Sequence, residues 1–293
     1  MSIVKSLSVG DGDMFYIMHE NDTFTIIDCC MSDDDKGRIV KELKSRSEGK
    51  GVTRFISTHP DKDHIEGIKY LNEKMPIVNF YCVENKATKK DPSDDFNEYC
   101  ALRDSKKSFF LSEGCSRKWL NDADGERGGS GIKILWPIAN NENYKYELES
   151  VKDGGDPNNI APIIKYRSKD KISFLWMGDL NTDFMEKIID KVKIGSVDVL
   201  FAPHHGRDTG KVPGDWLRSM NPKIVIVGEA PSVYLNYYDG YNTITQNSAG
   251  DITFECDSGK THIYVSNPDY LVDSLDDENL QDSYGKYIGT LNV

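Results

Sequence analysis

Phe55-Ile56-Ser57-Thr58-His59-Pro60-Asp61-Lys62-Asp63-His64 carries an apolar run into a loop that holds four potential metal ligands within six residues. Val52 to Ser57 has the composition of a short buried strand, and Pro60 cannot continue it. Imidazoles and carboxylates this close in one loop can converge on a point, which is what a divalent ion requires. A charged surface loop with idle histidines is the alternative for these residues taken alone.

Working outward, the preceding chain reads as strands at Ile3 to Val9, Met14 to Met18 and Thr23 to Ile27, with a turn at His19 to Asp22. A helix follows over Arg38 to Ser47, where Ile39, Val40 and Leu43 share one face. A second helix is predicted from Ile65 to Asn72, then a strand from Ile77 to Val83. Residues 85–130 are polar with scattered aromatics and read as a helical insertion ending in the loop Asp122 to Gly131. Strands return at Ile132 to Trp136, Ile160 to Arg167, Ile172 to Met177, Val197 to Phe201, Ile224 to Val227, Ile252 to Cys256 and His262 to Val265, with helices over Thr182 to Val192 and Asp215 to Met220. Short connections between alternating elements predict one α/β sandwich over 1–268, two sheets with outer helices, followed by an acidic, solvated tail over 269–293.

Composition narrows the function classes. The net charge of −12 argues against a protein that coats nucleic acid, because non-specific binding needs Lys and Arg on phosphates. It leaves room for an enzyme that grips a few phosphates. No apolar stretch approaches the roughly 20 residues that a bilayer demands, and the opening thirteen residues lack a secretory apolar block, so no membrane association and a cytoplasmic location are expected. The six cysteines have no C-x-x-C spacing and are expected as reduced thiols.

Two further strand ends repeat the pattern of the first. Ile172 to Met177 runs into Gly178-Asp179, and Val197 to Phe201 into Pro203-His204-His205-Gly206, so four of the six histidines lie just past strands. Strand ends are rigid platforms, and glycines there permit close backbone approach. Together with Val9-Gly10-Asp11-Gly12-Asp13, Ile26-Ile27-Asp28, Met177-Gly178-Asp179-Leu180, Ala202-Pro203-His204-His205-Gly206 and a terminal stretch including Thr245, Gly250-Asp251-Ile252 and Asp257 to Lys260, this set resembles the metallo-β-lactamase superfamily. The H-x-D-x-D-H form is most similar to ComEC-type competence proteins, and the resemblance covers most of the chain except 85–130.

That resemblance implies an αββα sandwich with one or two divalent ions, zinc or manganese with magnesium as an alternative. By position, His59 and Asp61 serve a first ion, Asp63 and His64 a second, and Asp179 bridges them. His205, with His204 as alternative, completes the second site, while Asp28 orients a ligand from behind. Asp63, Asp179 and His204 are the catalytic candidates. The chemistry implied is hydrolysis of a phosphodiester in nucleic acid or a nucleotide, a nuclease above all, by a hydroxide held between ions about 3.5–4 Å apart. A hydrolase of small esters, lactones or amides and a non-catalytic partner-binding module stand as alternatives.

Departures from the family pattern carry their own expectations. Asp61 in place of a second histidine makes the set richer in oxygen, which favours manganese or magnesium. Asp156-Pro157-Asn158-Asn159 stands where the lactamases carry a further histidine, making Asn159 a candidate weak ligand or phosphate contact. Tyr234, Tyr237, Tyr238 and Tyr241 share one loop, which either stacks on bases or packs on its own rings or a partner. Lys165, Arg167, Lys169 and Lys171 alternate, so one face either meets a phosphate backbone or is simply solvated. The tail, with six acids and no base from Asp269 to Asp282, is the candidate surface for a protein partner. His19 and His262 are given no role.

Overall fold

The computed structural model describes residues 1–123 and 126–293. Its larger sheet has nine strands, in the order Lys286–Asn292, Lys260–Val265, Ile252–Asp257, Ser2–Ser6, Phe15–Met18, Thr23–Ile27, Val52–Ile56, Phe80–Cys82 and Ser108–Phe110. Pairing is antiparallel from the first of these to Thr23–Ile27 and parallel beyond. The smaller sheet runs Thr243–Thr245, Ile224–Val227, Val199–Phe201, Ser173–Trp176, Ile163–Arg167 and Ile132–Trp136, with the first four parallel.

Strand periodicity of two sorts the apolar residues into layers. Val4, Ile17, Ile27 and Ile56 of the larger sheet join Ile164, Phe174, Trp176, Phe201 and Ile226 of the smaller in one core between the sheets. Their sequence neighbours face outward into helices: Phe24, Ile26 and Phe55 toward Ile39, Leu43, Ile68 and Leu71, and Leu175, Leu200 and Val225 in the layer that holds Phe184, Ile188, Trp216 and Met220. The fold is therefore the expected sandwich of two sheets flanked by helices. All six cysteines are free, and no described helix is long and apolar enough to cross a membrane.

Four differences from the sequence reading have local causes. The helix expected over Ile65 to Asn72 is two, Lys62–Ile65 and Ile68–Lys74, divided at Gly67 (φ 86°), where an added Cβ would lie 3.1 Å from the Met31 side chain. Among its described residues the expected helical insertion holds a single helix, Asp94–Arg103, and its next strand, Ser108–Phe110, extends the larger sheet; residues 124 and 125 of its expected exit loop lie outside the described residues. An unexpected helix, Glu142–Lys152, buries chiefly Tyr144 and Val151, too few apolar positions to show a period. The tail is no free extension: Lys286–Asn292 pairs with Lys260–Val265, and Lys260 binds Glu278 at 2.6 Å, laying the acidic segment along the sheet edge.

Candidate metal centre

Every element that leads to the site ends a strand at the same edge of the sandwich. Val52–Ile56 stops at Ser57, and Thr58 N and Oγ1 donate to the Asp28 carboxylate at 2.7 and 2.6 Å, which fixes the turn into His59. Asp28 itself follows Thr23–Ile27 and takes a left-handed backbone (φ 56°), held by its N–H on Ile56 O. From the other sheet, Ser173–Trp176 leads to Gly178, where φ is 50° and an added Cβ would lie 2.7 Å from Ala161 Cβ; Asp179 follows. Val199–Phe201 leads to His204 and His205, both left-handed (φ 53° and 54°), with His204 N bonded to Gly178 O. Such backbone is costly for residues other than glycine, and three site residues, Asp28, His204 and His205, adopt it.

Four imidazoles present Nε2 to one carboxylate. From Asp179, His64 Nε2 lies at 3.0 Å, His205 at 3.5 Å, His204 at 3.8 Å and His59 at 4.0 Å. Each Nδ1 is held from behind: His64 by Asp28 (2.9 Å), His205 by Asp13 (3.2 Å), His59 by Thr58 Oγ1 (3.0 Å) and His204 by Thr209 Oγ1 (3.0 Å). Asp63 adds a carboxylate 3.2 Å from His205 Nε2. Ligand atoms of Asp13, His64, Asp179 and His205 all lie within 4.8 Å of one another.

The donor set fits a divalent cation. His59 Nε2, His64 Nε2 and Asp179 Oδ1 are buried without an aligned hydrogen bond, the last two meeting at 3.0 Å as an ion pair. Buried polar atoms elsewhere also lack a partner, among them Ser2 Oγ and Trp136 Nε1, but here three such atoms face one another in a His/Asp cluster, which makes it a candidate site for a cation.

Electrostatics support the same conclusion. Burial would raise Asp179, but the His64 and His205 charges hold it well below the usual carboxylate range. Burial would raise Asp63 too, yet the His205 hydrogen bond and the His64 charge bring it down to about 2. Burial would lower His64 and His205; the carboxylates of Asp179 and Asp28 for one, Asp179 and Asp13 for the other, lift both well above 6.5. His59, buried and beside the charged His64, drops to about 4, and burial also lowers His204. Protons on His64 and His205 thus balance carboxylates that a metal ion would balance when bound.

The structure brings His59, Asp63, His64, Asp179, His204 and His205 together, with Asp28 behind His64. It adds Asp13, the last residue of the Val9 to Asp13 motif, which lies one residue after Gly12, where a Cβ would meet Asp63 O at 2.7 Å. Asp61 does not join the group: its carboxylate pairs with Lys89 at 2.7 Å. Asn159 accepts from Asn181 N at 3.1 Å and so props the turn after Asp179, lining a cavity of about 580 Å³ with Thr182, Lys187, Thr209 and Lys211. Tyr238 is no free stacking ring; it is buried, its hydroxyl accepting from Val212 N, and Tyr241 packs on the core, which leaves Tyr234 and Tyr237 exposed. Lys165 lies away from the cluster, its ammonium donating to the carbonyls of Ile194 and Ser196, because it projects from the helix-facing side of its strand.

No family model and no curated protein sequence matches the chain. Among solved structures it is similar to CmlA, a diiron β-hydroxylase from Streptomyces venezuelae, with 11% identity and a TM-score of 0.42 over 78% of this chain and 44% of that one. It is also similar to the metallo-β-lactamase SMB-1 in complex with mercaptoacetic acid (12%, 0.40, 73% and 82%) and to a long-form RNase Z from yeast (12%, 0.38, 83% and 40%). The chain spans less than half the length of the CmlA and RNase Z chains, and all three likenesses are distant.

Proposed function

We propose that this chain is a metal-dependent hydrolase of phosphodiesters, akin in its H-x-D-x-D-H set to the ComEC-type proteins. One observation carries the proposal: four histidines turn Nε2 toward Asp179 at 3.0–4.0 Å, with three buried donor atoms left without an aligned hydrogen bond. Asp63, His64, Asp179 and His205 would hold one ion, and His59 with Asp179 would hold a second. When bound, such ions act as Lewis acids and lower the pKa of water toward neutrality.

The chain's own residues supply positioning. Asp28 and Thr58 fix the two histidines of the first loop, so little is reorganised when substrate arrives. His204 is half-buried and held neutral near pH 7 by burial, with Nδ1 on Thr209, so Nε2 is the atom placed to move a proton. The cavity beside it carries Lys187 and Lys211 together with Asp183, Asp208 and Phe184, so two ammonium groups are within it to meet a phosphate while its lining as a whole has no net charge.

The test is hydrolysis of bis-p-nitrophenyl phosphate by protein loaded with Mn²⁺ or Zn²⁺, with Asp179→Asn as control. Turnover that falls by about 100-fold or more in the variant supports the proposal. A loaded protein that cleaves acyl esters or lactones but no phosphodiester replaces it with the acyl hydrolase. Protein that takes up no metal at all would make the chain a binding module.

A further inference from the structure

The loop Val9-Gly10-Asp11-Gly12-Asp13 joins two strands of the larger sheet and is tied to segments that follow strands of both sheets. Asp11 takes Arg207 Nη2 on both carboxylate oxygens at 2.6 Å. Glu229, just past Ile224–Val227, accepts from Ser8 Oγ and Gly10 N at 2.8 Å each. Asp13 N donates to Asp63 O at 3.1 Å, and Gly12 sits so close to Cys30 and Asp63 that no side chain fits. These ties deliver the Asp13 carboxylate to a ring 192 positions away: Oδ1 lies 3.2 Å from His205 Nδ1, with the imidazole fully buried.

The arrangement repeats, on the other sheet, what Asp28 does for His64. In both pairs a carboxylate stands at Nδ1 while Nε2 faces Asp179. A neutral imidazole has one N–H, and a carboxylate at Nδ1 draws the proton there and leaves the lone pair on Nε2. We infer that Asp13 is a positioning residue for His205, fixing its tautomer and ring orientation so that Nε2 is presented to an ion beside Asp63 and Asp179. The inference rests on the metal-centre reading given under Proposed function, and it assigns Asp13 a place behind the ligand instead of on the ion.

Zinc affinity and the state of the imidazole together test it. Wild type, Asp13→Asn and Asp13→Ala are loaded with Zn²⁺; the dissociation constant is measured by chelator competition, and the His205 Nδ1 proton is observed by nitrogen-correlated NMR. The expected result is an Nδ1-bound proton in wild type, zinc binding weakened by about 10- to 100-fold in Asp13→Ala with that proton signal lost, and partial rescue in Asp13→Asn, whose amide oxygen still accepts. Should Asp13→Ala fail to fold, Asp13→Asn decides: a wild-type signal and affinity would overturn the inference, and so would a wild-type His205 without an Nδ1 proton. Wild type that binds no zinc is a different failure, seen before any variant is made, and it removes the metal-centre reading and this inference together.

Discussion

At the residue scale, His64 and His205 govern how the site responds to pH. Both are raised well above 6.5 by the carboxylates around them, despite burial that acts the other way. A group whose folded pKa is raised stabilises fully below its unfolded value and loses that contribution as pH climbs through the folded value. Metal-stripped protein should therefore lose stability from neutral pH upward, and metal-loaded protein, whose Nε2 atoms carry no proton, should hold it over the same range. Urea midpoints between about pH 6.5 and about pH 9.5 measure this; a metal-stripped midpoint that rises with pH would rule out a protonated pair. Donor identities at this scale were legible, because strand-end histidines and aspartates announce themselves by residue type. Partners were not: Lys89 on Asp61 and Asp13 on His205 join residues far apart in sequence.

Elements reach the site through glycines that no other residue could replace without strain. Gly206 (φ 85°) ends the His204-His205 turn, and an added Cβ would stand 2.7 Å from Val227 Cγ1 on the neighbouring strand. Gly206→Ala should cost about 2 kcal/mol in urea unfolding and weaken metal binding in parallel, since His205 is the preceding residue. Loss of neither would show that the turn relaxes without moving its histidines. The strands Thr23–Ile27, Ile132–Trp136 and Ile224–Val227 coincide with the runs expected from the sequence, since buried strands rich in Val and Ile show directly. Glu142–Lys152 and Ser108–Phe110 are not legible in the sequence because each buries too little to leave a pattern.

Across the whole molecule, the site is assembled from both sheets. Asp13, Asp28, His59, Asp63 and His64 come from segments that follow strands of the larger, Asp179, His204 and His205 from segments that follow strands of the smaller. A bound ion should therefore fasten the sandwich and raise its melting temperature in one transition. At a hundredfold excess over the dissociation constant the gain is about 2.7 kcal/mol, or roughly 5 °C for a chain of this size. Calorimetry with and without Mn²⁺ measures it, and Asp179→Asn should abolish the shift. A shift that survives in the variant would place the ion elsewhere. The net charge of −12 is compatible with a phosphorylated substrate, because acids of the 269–282 segment lie along the far edge of the larger sheet and a filled site adds positive charge where substrate would meet it.

The sequence by itself determined the sandwich class and the residues that could bind metal, because both depend on short-range features: alternation along strands and ligand types clustered within a few positions of a strand end. Tertiary structure decided which of them meet. It drew Asp13 to His205 across 192 positions, paired Asp61 with Lys89, buried Tyr238 and turned Lys165 to backbone carbonyls. Those outcomes follow from how two sheets and their loops pack in space, and spacing along the chain does not encode them.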